Sequence, residues 1–309
     1  MEKAVVLVTN ISNNLIGKKI CGFTLRKVYR GCDEICEYLN KKLRSWEFAD
    51  ILLGYNTYIL DNQPDVFLHS DEFGKYYLYF QKENVDDKSI DIFIETDAFV
   101  KSMAIFKVSG ISFTHPHIFS DKHGTGILSS SFHNYYSLND WPEFNLEDNE
   151  ILKLEEFYEL YKKIDKNKKI IDRMIDLWMT SRRTPSFDIK FILHVTILEM
   201  FINGNTKLSY RLSRSTAVLL GNSRENSKEI YNNVKKLYNA RSRFLHDGEE
   251  NKKNENEINA QNYARKLIVE LIMLSSEYKK SIDDIRAEID KFGFGDYKLL
   301  VASLNDNIT

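Results

Sequence analysis

The hydrophobic period of this sequence changes once, at Trp141–Pro142–Glu143–Phe144, and that change limits the folds open to it. Before it, apolar residues come in short β-branched and aromatic runs bounded by Gly, Asn and Asp: KAVVLV, CGFTLRKVY, DVFLHS, KYYLYFQ, DIFIE and AIFKVSGISF. Such runs predict strands. One helix is expected among them, from Asp33 to Trp46, and the following ADILLGYNTYIL reads as either helix or strand. After the proline the apolar residues recur every three to four positions, the spacing of one helical face. Helices are expected over 147–165 and 168–182, from Ser186 through Phe201, over KLSYRLSRSTAVLLG, after Ser223, along Tyr263 to Tyr278, and over Ser281–Lys291. The expected fold class is α+β: a strand-rich domain over 1–142 and an all-α domain over 145–309.

The stretch YNNVKKLYNARSRFLHDG carries an anomaly. Ile230, Val234, Leu237, Tyr238 and Leu245 form its apolar stripe, and Arg241 falls in phase with them. A buried charge is costly unless it is paired or faces a cavity. Five residues later comes His246, and Gly248 supplies a stop signal. A guanidinium can hold a phosphate through two parallel hydrogen bonds, and an imidazole can move a proton near neutral pH. Together they suit attack on a phosphodiester. Five residues turn a helix by about 140°, so the two side chains meet only around the final turn or across a dimer.

Two neighbouring segments complete the pattern. Phe187, Phe191, Ile192, Val195, Leu198, Met200 and Phe201 make a helix apolar nearly all round, expected at the centre of a bundle, with Glu199 on it and Asn203–Gly204 as its end. In KLSYRLSRSTAVLLG, Leu208, Leu212, Leu219 and Leu220 are expected inward, with Gly221 as cap. The run GEENKKNENE is expected to be a mobile charged loop.

Glu199 within ILEMF, LSYRLSRSTAVLLG, and KKLYNARSRFLHDG, in that order, resemble the Apea-like branch of the HEPN superfamily. The resemblance covers about Ser186 to Leu274. It implies a HEPN-like helical bundle and, for many members, a metal-independent endoribonuclease of antiviral defence or toxin systems. The signature is an Arg and a His separated by four to six residues, which Arg241 and His246 match with four. Members commonly have Gly directly after the His, whereas here Asp247 intervenes. The resemblance further implies a homodimer whose two helices face each other across one cleft, no cofactor, and 2′,3′-cyclic phosphate products.

Metal-free RNA cleavage needs a base for the ribose 2′-hydroxyl, an acid for the leaving 5′-oxygen, and a cation for the phosphorane charge. His246 is the candidate acid or base and Arg241 the phosphate clamp. Glu199 orients Arg241 or His246, or simply satisfies a buried charge. Ser242 either hydrogen-bonds a phosphate or is a small residue at a tight helix contact. Asp247 either shifts the helix end or places a carboxylate beside the imidazole. Arg211, Arg214 and Arg243 are candidates for tracking an RNA backbone. With a net charge of −2, RNA binding has to work through such a local patch.

Two other readings compete: a non-catalytic HEPN-like module that binds RNA or a nucleotide and regulates a partner, and a metal enzyme built on His115, His117, His123 and His133. The histidines also fit a polar surface loop, since no cysteine or fixed carboxylate completes a ligand pattern. The three cysteines, Cys21, Cys32 and Cys36, argue against a disulfide framework and fit a reducing cytosol. AVVLV is too short for a signal-peptide core, and no apolar stretch approaches the ~18 residues of a membrane span. A cytoplasmic protein is expected, without a membrane partner, whose first domain selects substrate or senses a phage-derived or cellular trigger.

Overall fold

A computed structural model describes residues 2–27, 78–84, 89–113, 117–120, 124–127, 142–184, 186–203, 206–247 and 254–297. The chain divides into two units, Met1–Tyr158 and Glu159–Thr309, and belongs to the α+β class. The runs expected over DVFLHS, Asp33–Trp46 and ADILLGYNTYIL lie outside the described residues, as do Cys32, Cys36, His115, His123, His133 and Gly248.

In the first unit, seven antiparallel strands among the described residues form one sheet: β1 (Glu2–Thr9), β2 (Lys19–Ile20), β3 (Phe23–Lys27), β4 (Leu78–Asn84), β5 (Ser112–Phe113), β6 (His117–Ser120) and β7 (Gly124–Ile127). Their order is β2-β3-β4-β1-β6-β7, with β5 also on β1. Alternation does what it should: Val6 and Val8 on β1 and Phe23 and Leu25 on β3 are buried. Cys21 and Gly22 join β2 to β3 with φ of 52° and 83°. Two consecutive positive φ values are those of a tight primed hairpin turn, so CGFTLRK starts as a turn and becomes a strand only at Phe23.

Two expected strands are replaced. DIFIE and the start of AIFKVSGISF lie in one helix, α1 (Ser89–Phe106). With no Gly or Pro inside to break it, the helix continues for eighteen residues, far longer than a strand. An Asp97–Lys101 ion pair at 3.1 Å spans one turn, and Phe99 stacks on Phe23 of the sheet at 4.2 Å. Helix and sheet thus bury each other's apolar residues.

The stretch at Pro142–Phe144 does not end the first unit. Phe144 bridges to Ile11, donates from its N–H to Asn10 O, and accepts from Ser12 N–H, both at 2.9 Å. Helix α2 (Asp148–Lys162) follows, and the division falls within it. Lys107 holds its first turn through Glu150 at 2.7 Å. A proline marks a break in secondary structure, and here the break is inside a packed unit.

The second unit is helical: α3 (Lys168–Arg183), α4 (Phe187–Met200), α5 (Leu208–Leu220), α6 (Arg224–Asp247), α7 (Asn254–Glu277) and α8 (Ile282–Ile289). All six answer expected helices, because a 3.6-residue period over many turns admits little else. Helix α4 packs against α3, α5, α6 and α7, and Phe191, Val195, Ile197 and Leu198 are fully buried. Its first turn is less apolar in its surroundings than expected, for Phe187 is 55% exposed. Gly221 ends α5 for want of room: a Cβ there would lie 2.0 Å from Ser227 Oγ and 2.6 Å from Ala217 O. The run expected as a mobile loop is shorter than its charges suggest, since Asn254–Glu257 opens α7 and Glu257 is buried. Tyr278 falls beyond the end of α7 and is exposed.

Candidate functional site

The candidate site lies at the C-terminal end of α6. Ser223 caps the start of that helix, its Oγ accepting from Asn226 N–H at 3.1 Å. Val234 and Leu237 are buried, and Leu237 packs with Phe191 and Val195 of α4 and Ala260 of α7. One turn past Leu237 comes Arg241, and one turn past Val195 comes Glu199. Arg241 Nη1 and Glu199 Oε1 are 3.2 Å apart, with side chains 26% and 22% exposed. The apolar stripe brings the arginine to the core edge, and the one carboxylate of ILEMF meets it there. Burial pushes the Glu199 carboxyl above its ordinary value, and the Arg241 charge offsets part of that. Arg241 Nε is shielded from solvent and has no hydrogen-bond partner among the described residues.

Of the alternatives open for Glu199, its contact is with Arg241. His246 is exposed in the last turn of α6 and makes no hydrogen bond or ion pair among the described residues. A basic group there suits the helix dipole. Leu245, expected in the buried stripe, is instead 47% exposed. The stripe leaves the core after Arg241, where α6 outruns its apolar cover. Ser242 is half-buried, and Arg243 and Asp247 are exposed. Within one chain, Glu199 and Arg241 come together, while His246 stands on a different side of the helix.

The arginines of α5 divide. Arg214 is committed to the protein: Nη2 donates to Phe292 O at 2.9 Å and Asp290 O at 3.4 Å, and Nη1 donates to Ile289 O at 3.3 Å. It caps the C-terminal carbonyls of α8, so this cation, expected to track RNA, also serves the fold. Arg211 donates once, from Nη2 to Asn203 Oδ1 at 3.3 Å.

One constellation escaped sequence reading. His194, within the apolar run FILHVTIL, is 1% exposed. Its Nε2 is 2.8 Å from Ser181 Oγ and its Nδ1 is 3.5 Å from Glu257 Oε1. The three residue types are those of a hydrolase triad, but the hydrogen bonds run the wrong way. Ser181 donates its hydroxyl proton to Trp178 O at 2.7 Å, so it can only accept from His194 Nε2–H. A nucleophilic serine has to donate to that nitrogen. Burial, with Lys190 nearby, pushes His194 down to about 3, and burial pushes Glu257 up, with Lys190 offsetting part of the rise. Both groups are driven towards their neutral forms, so the contact is no ion pair. Glu257 lies 63 positions from His194, and no spacing rule links them.

Among the described residues no group of three or more His, Cys, Asp or Glu is arranged to hold a metal ion. His117 lies on β6, while the other three histidines of its loop are outside those residues. No helix among the described residues is long and apolar enough to cross a membrane. No family model matches the chain, and no match is found among curated proteins or solved structures.

Proposed function

We propose that the helical unit is a HEPN-like metal-independent endoribonuclease, a defence or toxin effector acting as a homodimer. The observation that carries this reading is the Arg241 guanidinium. It is held at the core edge by Glu199, with a shielded Nε left over, on the helix whose last turn exposes His246. In the proposed reaction the ribose 2′-oxygen attacks phosphorus and loses its proton to a base. The 5′-oxygen leaves and takes a proton from an acid, giving a 2′,3′-cyclic phosphate and a 5′-hydroxyl. His246 serves as acid or base, and Arg241 balances the charge that grows on the phosphorane oxygens. Glu199 fixes the fork of Arg241 at a chosen angle, which lowers the ordering cost of the clamp.

The roughly 140° between Arg241 and His246 favours a composite site across a two-fold axis. The exposed Leu245 beside His246 is in keeping with a partner surface at this end of α6. The first unit is proposed as substrate selector or trigger sensor. A second reading, a non-catalytic RNA- or nucleotide-binding regulator, is favoured by the Glu199 contact, which already occupies part of the Arg241 fork, and by Asp247 beside His246.

The test is incubation of the full chain with RNA in excess EDTA, followed by gel and end-group analysis. Cleavage to cyclic-phosphate ends, lost in Arg241→Ala and in His246→Ala, is expected. Unchanged cleavage by both variants would overturn the assignment. Activity that vanishes in chelator and returns with a divalent ion would move the chemistry to the histidine loop.

A further inference from the structure

A pocket of about 300 Å³ opens where the end of α4 meets the start of α5 and the end of α8. Three guanidinium groups line it, those of Arg211, Arg214 and Arg286, against a single carboxylate, Asp290. Two of the three serve the fold as well. Arg286 Nε donates to Phe201 O at 2.7 Å and Nη2 to Met200 O at 3.1 Å, closing the end of α4. Arg214 closes the end of α8 in the same way. Carbonyl acceptors leave a guanidinium charged, and each helix end returns about half a unit of negative charge. Asp290 is 75% exposed and reaches Arg214 Nη1 only at 3.5 Å, so it screens weakly.

Arg286 Nη1 also pairs with Asp283 Oδ1 at 2.8 Å, so three positive charges meet two exposed carboxylates and about one unit from two helix ends, and the wall as a whole is close to neutral. That compensation falls on Arg214 and Arg286, and Arg211 is the cation of the wall that has no carboxylate partner among the described residues. Arg211 touches only a neutral amide oxygen among the described residues, so most of its five N–H donors are open to a ligand. Asn203, which accepts from Arg211, lines the same pocket. A planar fork with free donors, fixed by an amide, matches the oxygens of a tetrahedral oxyanion.

The wall also has an aromatic side. Tyr210 lines the pocket and is 52% exposed. Behind it Tyr231 stands edge-on at 6.4 Å, itself backed by Phe294 at 5.8 Å. An aromatic ring braced from one side and open on the other is a surface on which a base can stack. We propose that this pocket binds a nucleoside monophosphate, with Arg211 clamping the phosphate and Tyr210 stacking on the base. Its volume is at the small end of ligand pockets, which suits one nucleotide. Neither Arg241 nor His246 lines the pocket. Nucleotide binding there does not depend on whether those two residues cleave RNA.

The experiment is titration calorimetry of the full chain at low salt with adenosine monophosphate, inorganic phosphate, adenosine and a short single-stranded RNA. Adenosine monophosphate is expected to bind more tightly than either phosphate or adenosine alone. Arg211→Gln should weaken it by at least about tenfold, with Arg211→Lys intermediate because the charge stays and the fork is lost. Tyr210→Ala should reduce adenosine monophosphate to the affinity of inorganic phosphate and leave phosphate itself unchanged. Both side chains reach solvent, so circular dichroism should show both variants folded. Failure of adenosine monophosphate and phosphate to bind would overturn the proposal, as would binding that ignores Arg211→Gln. Arg211-dependent binding of RNA without any of the mononucleotide would overturn it in favour of a strand site. Equal affinity for phosphate and adenosine monophosphate would remove the nucleoside.

Discussion

His194 offers the sharpest test of the helical unit, because its burial turns into a pH dependence of known sign. In the folded protein it is held neutral down to about 3, against 6.5 for an unperturbed histidine. The folded value is depressed. The stabilisation is therefore complete above the unfolded value and is lost as pH falls below about 6.5, where only the unfolded chain takes up the proton. Between about pH 7.5 and about pH 5 the loss amounts to about 2 kcal/mol, a large share of a typical domain's stability. Glu257 works in the opposite direction, since its folded value is raised and acid favours its folded form. Lys190 faces both groups. The measurement is accordingly a difference. Urea unfolding of the wild type and of His194→Gln is followed at several pH values, and the slopes are compared. Glutamine can donate to Ser181 Oγ but cannot titrate. The wild type should lose about 2 kcal/mol more than the variant across that interval. Parallel curves would mean that His194 is not held neutral in the fold, and the reversed hydrogen-bond order at Ser181 would fall with it.

Three further outcomes are expected. Glu199→Ala should cost about 1–3 kcal/mol by leaving a three-quarters buried Arg241 unpaired, and a double-mutant cycle with Arg241→Met should show coupling; additive effects would deny the pair any energetic role. Gly221→Ala should lower the urea midpoint by the equivalent of about 1–3 kcal/mol, because the new Cβ collides with Ser227 Oγ and Ala217 O; an unchanged midpoint would refute the packing argument. Mixing inactive Arg241→Ala with inactive His246→Ala should restore partial RNA cleavage if each composite site takes one residue from each protomer, and an active monomer by sedimentation would sink the shared cleft.

Where the sequence was legible, a repeating local pattern decided the outcome. The six helices of the second unit follow from apolar residues every three to four positions. The anomaly of Arg241 was visible for the same reason, as a charge in phase with Val234 and Leu237. The pattern failed where it was too short to choose. DIFIE, β-branched and aromatic, reads as a strand over five residues, yet belongs to an eighteen-residue helix that packs on Phe23. Pro142 interrupts secondary structure, but Phe144 hydrogen-bonds Asn10 and Ser12 more than 130 positions away, which no local signal records.

For the candidate site the division is similar. Periodicity names the residues that turn inward; it cannot name what covers them. Leu245 and Arg241 share one stripe, but only Arg241 finds a partner, because α4 ends opposite it. Arg211 and Arg214 lie three apart on one helix, yet Arg214 meets the end of α8 while Arg211 meets an amide at the pocket wall. His194 looked like part of an apolar run, and its partners come from two other helices. Sequence alone determined the helices and the residue types brought to their faces, because those depend on neighbours three and four positions away. Tertiary structure decided which charges are paired, which are open and which histidine is neutral, because desolvation and hydrogen bonding depend on groups that only folding brings together.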